Sequence, residues 1–169
     1  AINAANSTGG ADQIIFSVAG TIDVTSSSLP LITDPVDILG TGISIANSPI
    51  HGLDFVSGSA GSSVTGLAIT LSSIHGINGN GVDNLSLTNC DFSFNGTLGS
   101  PIGNSFGNGV SIINSSDVTI SGCNFNTNRE NGTYMENCPS ATFMNNVVNS
   151  SGFHGFIIIA GGNSSITNN

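Results

Sequence analysis

The residues of this chain that could do chemistry are few. They are ten Asp or Glu, one Arg (Arg129), three His (His51, His75, His154) and three Cys (Cys90, Cys123, Cys138). Cleaving a glycosidic bond by water needs two carboxylates roughly 5–9.5 Å apart. Abstracting a proton from a sugar acid needs a base, and commonly a carboxylate cluster that holds calcium. Two stacked imidazoles could begin a metal site. Two stacked thiols could bridge, provided their Cβ atoms come within about 3.8 Å. Each of these depends on which residues the fold brings side by side.

The composition narrows the fold and the partners. Of 169 residues, 38% are apolar and only 7% are charged, against roughly 25% charged in ordinary soluble domains. Disorder usually combines low hydrophobicity with high charge, so a folded, strand-rich object is expected. With one Arg and no Lys there is no basic groove to track phosphates, which argues against nucleic acid and against an anionic membrane surface. No apolar run is long enough for a membrane span, so this segment is not expected to insert. The acidity, with almost no basic residues, suits an extracellular or cell-surface protein. Three Cys are an odd number and indicate no disulfide framework.

The elements that position these residues repeat. "VDNLSLTNCDF" at 82–92 returns as "SSDVTISGCNF" at 115–125. Sliding by 23 residues aligns Ile120 with Phe143, Phe143 with Ile166, and Leu87 with Val64. One step is 33, and its ten extra residues fall in "NGTLGSPIGNSFGNG", which reads as an inserted loop near 96–107. A second series runs in phase: "HGLDF", "HGING", "NGVSI", "NGTYM" and "HGFII". It gives the columns Leu53, Ile77, Val110, Thr133, Phe156 and Phe55, Gly79, Ile112, Met135, Ile158. Each unit holds short strands of period two separated by Gly and Asn turns, with no helical period. One such unit cannot bury its own face, but like stacked on like can. The pattern predicts an all-β parallel solenoid of about six or seven coils, rising about 4.8 Å per coil.

This register decides the candidates. Asp91 stacks on Asn124, Asp83 on Ser116, Asp117 on Ser140, and Glu136 on Ile159, so no acid stacks on an acid. The nearest approach is Asp83 with Asp117, one column out of step, and these two are the weak carbohydrate-site candidates. Arg129 sits in a turn. The column His51, His75, Asn108, Asn131, His154 is always followed by Gly, and is read as turn geometry because His, Asn and Gly tolerate positive φ. Cys90 and Cys123 stack as buried thiols filling core space. Asn89, Asn145 and Asn168 share a turn column, with Asn146 and Asn169 in the next. No catalytic, cofactor-binding or metal-binding residue is assigned. "FHGFIIIA" breaks the alternation and turns Ile157 and Ile159 outward beside Tyr134, a strip suited to contact with a partner.

The opening stretch carries a more particular likeness. "AINAAN" at 1–6 and "DQIIFSVAGTIDVTSSSLPLITDPVDILGTG" at 12–42, with the coils after them, resemble the right-handed parallel β-helix repeats of polymorphic outer-membrane-protein-like and autotransporter-like bacterial surface proteins, which share the pectate-lyase superfold. The resemblance implies a right-handed helix of coils with a short N-terminal cap. One domain is expected over 1–169, with a cap remnant at 1–11, first coils at 12–50 and regular coils at 51–169, as a piece of a longer chain or by itself. The expected function is a non-enzymatic structural or surface module (stalk, filament subunit or adhesion element) that associates with copies of itself. The alternative is a polysaccharide-binding or polysaccharide-cleaving β-helix with surface glycans as partners.

Overall fold

The structure, a computed structural model, describes residues 1–96 and 107–169. The chain winds as a right-handed parallel β-helix of about six turns of roughly 23 residues, with almost no helix. The expected loop at 96–107 lies largely outside the described residues, but its ends do not: a Cβ on Gly96 would sit 2.3 Å from Gly107 Cα. The two ends meet, so the coil after the insertion stacks as though the loop were not there.

Three faces run the length of the molecule. The first is a seven-stranded sheet of Asp12–Ile15, Val36–Leu39, Ser63–Thr65, Ser86–Thr88, Thr119–Ser121, Thr142–Met144 and Ser165–Thr167. The second begins with Gly20–Asp23, Ile43–Ala46 and Ala68–Thr70 and continues through single bridges at Asp91 to Asn124–Asn126 and Val147–Asn149. The third holds Leu53–Val56, Ile77–Asn80, Val110–Ile113, Asn131–Glu136 and His154–Ile159. Every pairing among the described strands is parallel, and the columns aligned from the sequence hold: Leu53 with Ile77, Ile77 with Val110, Val110 with Thr133, Ile120 with Phe143.

The inward columns make the core. Val64, Leu87, Ile120 and Phe143 are fully buried, as are Ile69, Phe92 and Phe125. Phe92 and Phe125 pack with ring centroids 5.6 Å apart. Each such side chain contributes roughly 1.5–3 kcal/mol by leaving water. The N-terminal end is covered by a single helical turn, Ile2–Ala5, tied down by Asn6, whose amide donates to Leu31 O and whose Oδ1 accepts from Thr33 N–H.

Turns between faces use left-handed residues in stacked columns. Between the first and second faces these are Gly42, Gly66, Asn89, Gly122, Asn145 and Asn168, with φ from 53° to 79°. Asn tolerates this region better than most residues and Gly freely. The amide ladder lies one residue on: Asn169 Oδ1 accepts from both the Asn146 backbone and its side chain, and Asn146 Oδ1 accepts from Cys123 N–H.

The His/Asn-Gly column is a different device from the one expected. None of His51, His75, Asn108, Asn131 or His154 has positive φ, nor do the glycines after them. The polar side chains from His51 to Asn131 form a ladder, buried from His75 onward, and His154 beyond it is exposed. The His51 and His75 rings stack at 5.1 Å, Asn108 N–H donates to His75 Nδ1, and Asn131 Nδ2 donates to Asn108 Oδ1. The glycines are there for space. A Cβ on Gly76 would fall 2.6 Å from Gly109 O, and one on Gly109 2.7 Å from Gly132 O. Burial, and then the neighbouring His51, pushes the His75 pKa down to about 3 from 6.5.

Two outcomes follow. Gly76→Ala should cost about 1–3 kcal/mol of stability in urea unfolding, because backbone and the buried Asn95 surround the new methyl. Gly9→Ala, with open space around it, should stay within about 0.5 kcal/mol. His75 is neutral when folded and takes up a proton more readily when unfolded. Its contribution to stability is therefore complete above about pH 6.5 and is lost as pH falls toward about 3. His75→Asn, which copies Asn108 one coil later, should flatten the decline of stability across that window.

Candidate functional site

The outward side of the second face is where the coils leave a hollow. Gly42 and Gly66, in left-handed turns, form a low wall with Asn89. Beside them one outward column runs Thr21, Ser44, Ala68, Asp91, Asn124 in register across five coils. Together they enclose an open trough of about 430 Å³ along the solenoid axis. Its floor is small and mostly uncharged: hydroxyls, a methyl, an amide and one carboxylate.

Asp91 is the carboxylate of the trough. It is half-buried, its backbone is pinned by bonds to Leu67 O and from Ile69 N–H, and its Oδ1 accepts a hydrogen bond from the Ser93 hydroxyl. Ser93 in turn accepts from Asn126 N–H at 3.0 Å, so the carboxylate is held by the coil that follows. At the end of the same face Asp23 accepts from Thr25 and Asn47, and the Thr25 hydroxyl bond, its largest influence, holds its pKa below the usual carboxylate range.

The far edge of this face is the turn column Asn47, Leu71, Phe94, Thr127, Ser150, all with φ between 54° and 62°. Asn is at ease there, whereas Leu and Phe are not. Phe94, at φ 61°, nevertheless leaves 47% of its surface exposed. Leu71 fills the same place one coil earlier, and Asn, Thr and Ser fill it in other coils. Asp91 is not singled out by the sequence as a site residue, and Phe94 counts there only as one of the few aromatics, with Tyr134, that a glycan-binding face could expose. Asp91 looked like one more unstacked acid, and no local signal distinguishes the φ of Phe94 from that of an ordinary strand end.

The other sequence candidates lie elsewhere. Asp83 and Asp117 are on the ridge between the third and first faces. Asp83 accepts from Ser116 N–H and its hydroxyl, and Asp117 occupies the left-handed column with Asn84 and Ser140. Tyr134 faces outward on the third face and donates to Glu136 Oε2 at 2.8 Å, with Ile157 and Ile159 on the next coil in the same columns. Cys90, Cys123 and Cys138 are buried free thiols. Contact with the Cys90 thiol, and then burial, pushes the Cys123 pKa up. Among the described residues, no three His, Cys, Asp or Glu side chains converge as metal ligands.

Comparison with known proteins bears on the fold. The enzymatically active domain of tailspike protein 2 from bacteriophage CBA120 is similar, at 12% identity over 88% of this chain and 33% of that one, with a TM-score of 0.50. Pectate lyase Pel9A gives 13% identity over 79% of this chain and 45% of that one, with a TM-score of 0.48. The chain thus spans about a third of the tailspike domain and under half of the lyase. No curated protein matches. The model of the right-handed β-helix region matches residues 32–169, well over half of the sequence, and the chain belongs to that family.

Proposed function

We propose that this β-helix engages polysaccharide, with an extended glycan lying along the trough of the second face. The observation that carries the reading is the trough itself: a hollow across neighbouring coils, floored by small hydroxyl and amide side chains and one fixed carboxylate. Hydroxyls and amides both donate and accept, and a carboxylate accepts at two oxygens, which suits a ligand made of hydroxyl groups. Phe94 adds an exposed aromatic surface at the far edge, of the kind on which a sugar ring can rest. The tailspike domain of the same fold is described as enzymatically active. This reverses the preference drawn from the sequence, where the acids were judged only by whether they stack on one another and the outward small residues carried no weight.

Binding is the activity assigned. Asp91 can accept hydrogen bonds from a bound sugar, and among the described residues no second carboxylate lines the hollow with it. Asp91→Asn should weaken binding of a retained oligosaccharide about 10- to 100-fold by calorimetry, the loss expected for hydrogen bonds to a charged group. Phe94→Asn should weaken it about 3- to 10-fold. A drop in Tm with binding unaltered would assign Phe94 to the fold instead. Release of reducing or unsaturated ends during these titrations, abolished by Asp91→Asn, would extend the assignment from binding to cleavage.

A second reading rests on the third face. Ile159 leaves 45% of its surface exposed next to Ile157 and Tyr134, an apolar strip suited to another copy of the chain in an extracellular surface module or stalk. Light scattering should then show a dimer or larger species that Ile159→Ser dissociates. A strict monomer at all concentrations contradicts it.

A further inference from the structure

The charges around the trough specify which polysaccharide. We infer that the second face selects an uncharged, hydroxyl-rich polysaccharide and rejects polyuronates. The inference rests on the reading of this face as a glycan surface and goes beyond it by naming the class of glycan.

Among the described residues, the ionisable side chains on the outward columns of this face are Asp91 within the trough and Asp23 at its end. Both are carboxylic acids, and Asp23 is biased toward its charged form. A uronate chain presents a carboxylate on every sugar, and each needs a cation to pair with. The sequence holds one Arg and no Lys. Arg129 lies in the turn beyond this face, where its Cβ abuts Gly96 and Gly107 at the foot of the inserted loop. There it acts on its neighbour Glu130, whose pKa is raised by burial and pulled back down by Arg129. The stacked His51 and His75 are both held toward the neutral form by burial, and they belong to the third-face ladder. With a formal net charge of −9, the field over the whole surface opposes a polyanion before contact.

The same features fit a neutral chain. Successive coils rise by about 4.8 Å, close to the length of one pyranose unit, so sugars in an extended chain can meet equivalent outward positions coil after coil. Thr21 and Ser44 offer hydroxyls, Ala68 leaves room for a ring face, Asp91 accepts from neighbouring hydroxyls, and Asn124 can both donate and accept. None of these contacts requires a charge on the ligand.

The test is retention of the purified chain on immobilised polysaccharides: neutral β-glucan, xylan and galactomannan, anionic polygalacturonate and alginate, and cationic chitosan. Each is run at low and high salt, with calcium and with chelator. The expected result is retention on at least one neutral polymer, changed less than twofold by salt, at least tenfold above either polyuronate, and lost in Asp91→Asn. Asp91→Lys should narrow that preference by raising polyuronate retention. Polyuronate retention equal to or above the neutral polymers, with or without calcium, overturns the inference and leaves the glycan reading standing. Retention on chitosan alone, abolished by salt, also overturns it. Retention on no polymer overturns both.

Discussion

Everything in this molecule depends on one constraint: each coil must present its backbone N–H and C=O groups to the next coil in parallel register. The ladders run along the solenoid axis, so a residue's neighbours in space stand one coil away in the same column. Asn84 N–H finds Ser116 O, Asn124 N–H finds Cys90 O, and Thr142 N–H finds Val118 O. A change of register would turn core residues to water and break the turns together. The 33-residue step is tolerated because Gly96 and Gly107 bring the ends of the insertion together, and the axial ladder resumes above it.

That constraint explains the odd composition. Columns of like residues reinforce each other: apolar side chains inward, amides bonded to amides, rings on rings, and glycine on glycine where carbonyls approach. Charges stack badly, because a carboxylate repeated every coil would face itself at about 4.8 Å. A chain under this rule keeps its acids apart and fills its outer faces with small neutral residues. The trough of the second face is made from that material, and its chemistry is therefore one of hydroxyls, amides and an isolated carboxylate.

Much of this was legible in the sequence. Columns such as Val64, Leu87, Ile120 and Phe143 could be aligned by counting, because period-two strands and a fixed coil length leave little freedom. The turn column of Asn89, Asn145 and Asn168 was legible for the same reason. The His/Asn-Gly column was aligned correctly but explained wrongly: composition cannot tell a glycine that needs positive φ from one that lacks room for a methyl. The trough was missed because its shape arises from what is small or absent, the side chains that Gly42 and Gly66 lack and the single methyl of Ala68, and a pattern of small residues looks the same in a wall and in a hollow. The strain at Phe94 was hidden because the turn imposes φ on whatever residue arrives there.

If the second face of this β-helix is a glycan surface, backbone amide signals followed by NMR will report it when a neutral oligosaccharide, a fragment of the best-retained polymer, is titrated in. Shifts are expected only in the column of Ser44, Ala68, Asp91 and Asn124 and at Phe94 on its edge. Shifts centred on Ser111, Tyr134 and Ile157 of the third face, or no shifts at saturating sugar, would contradict it.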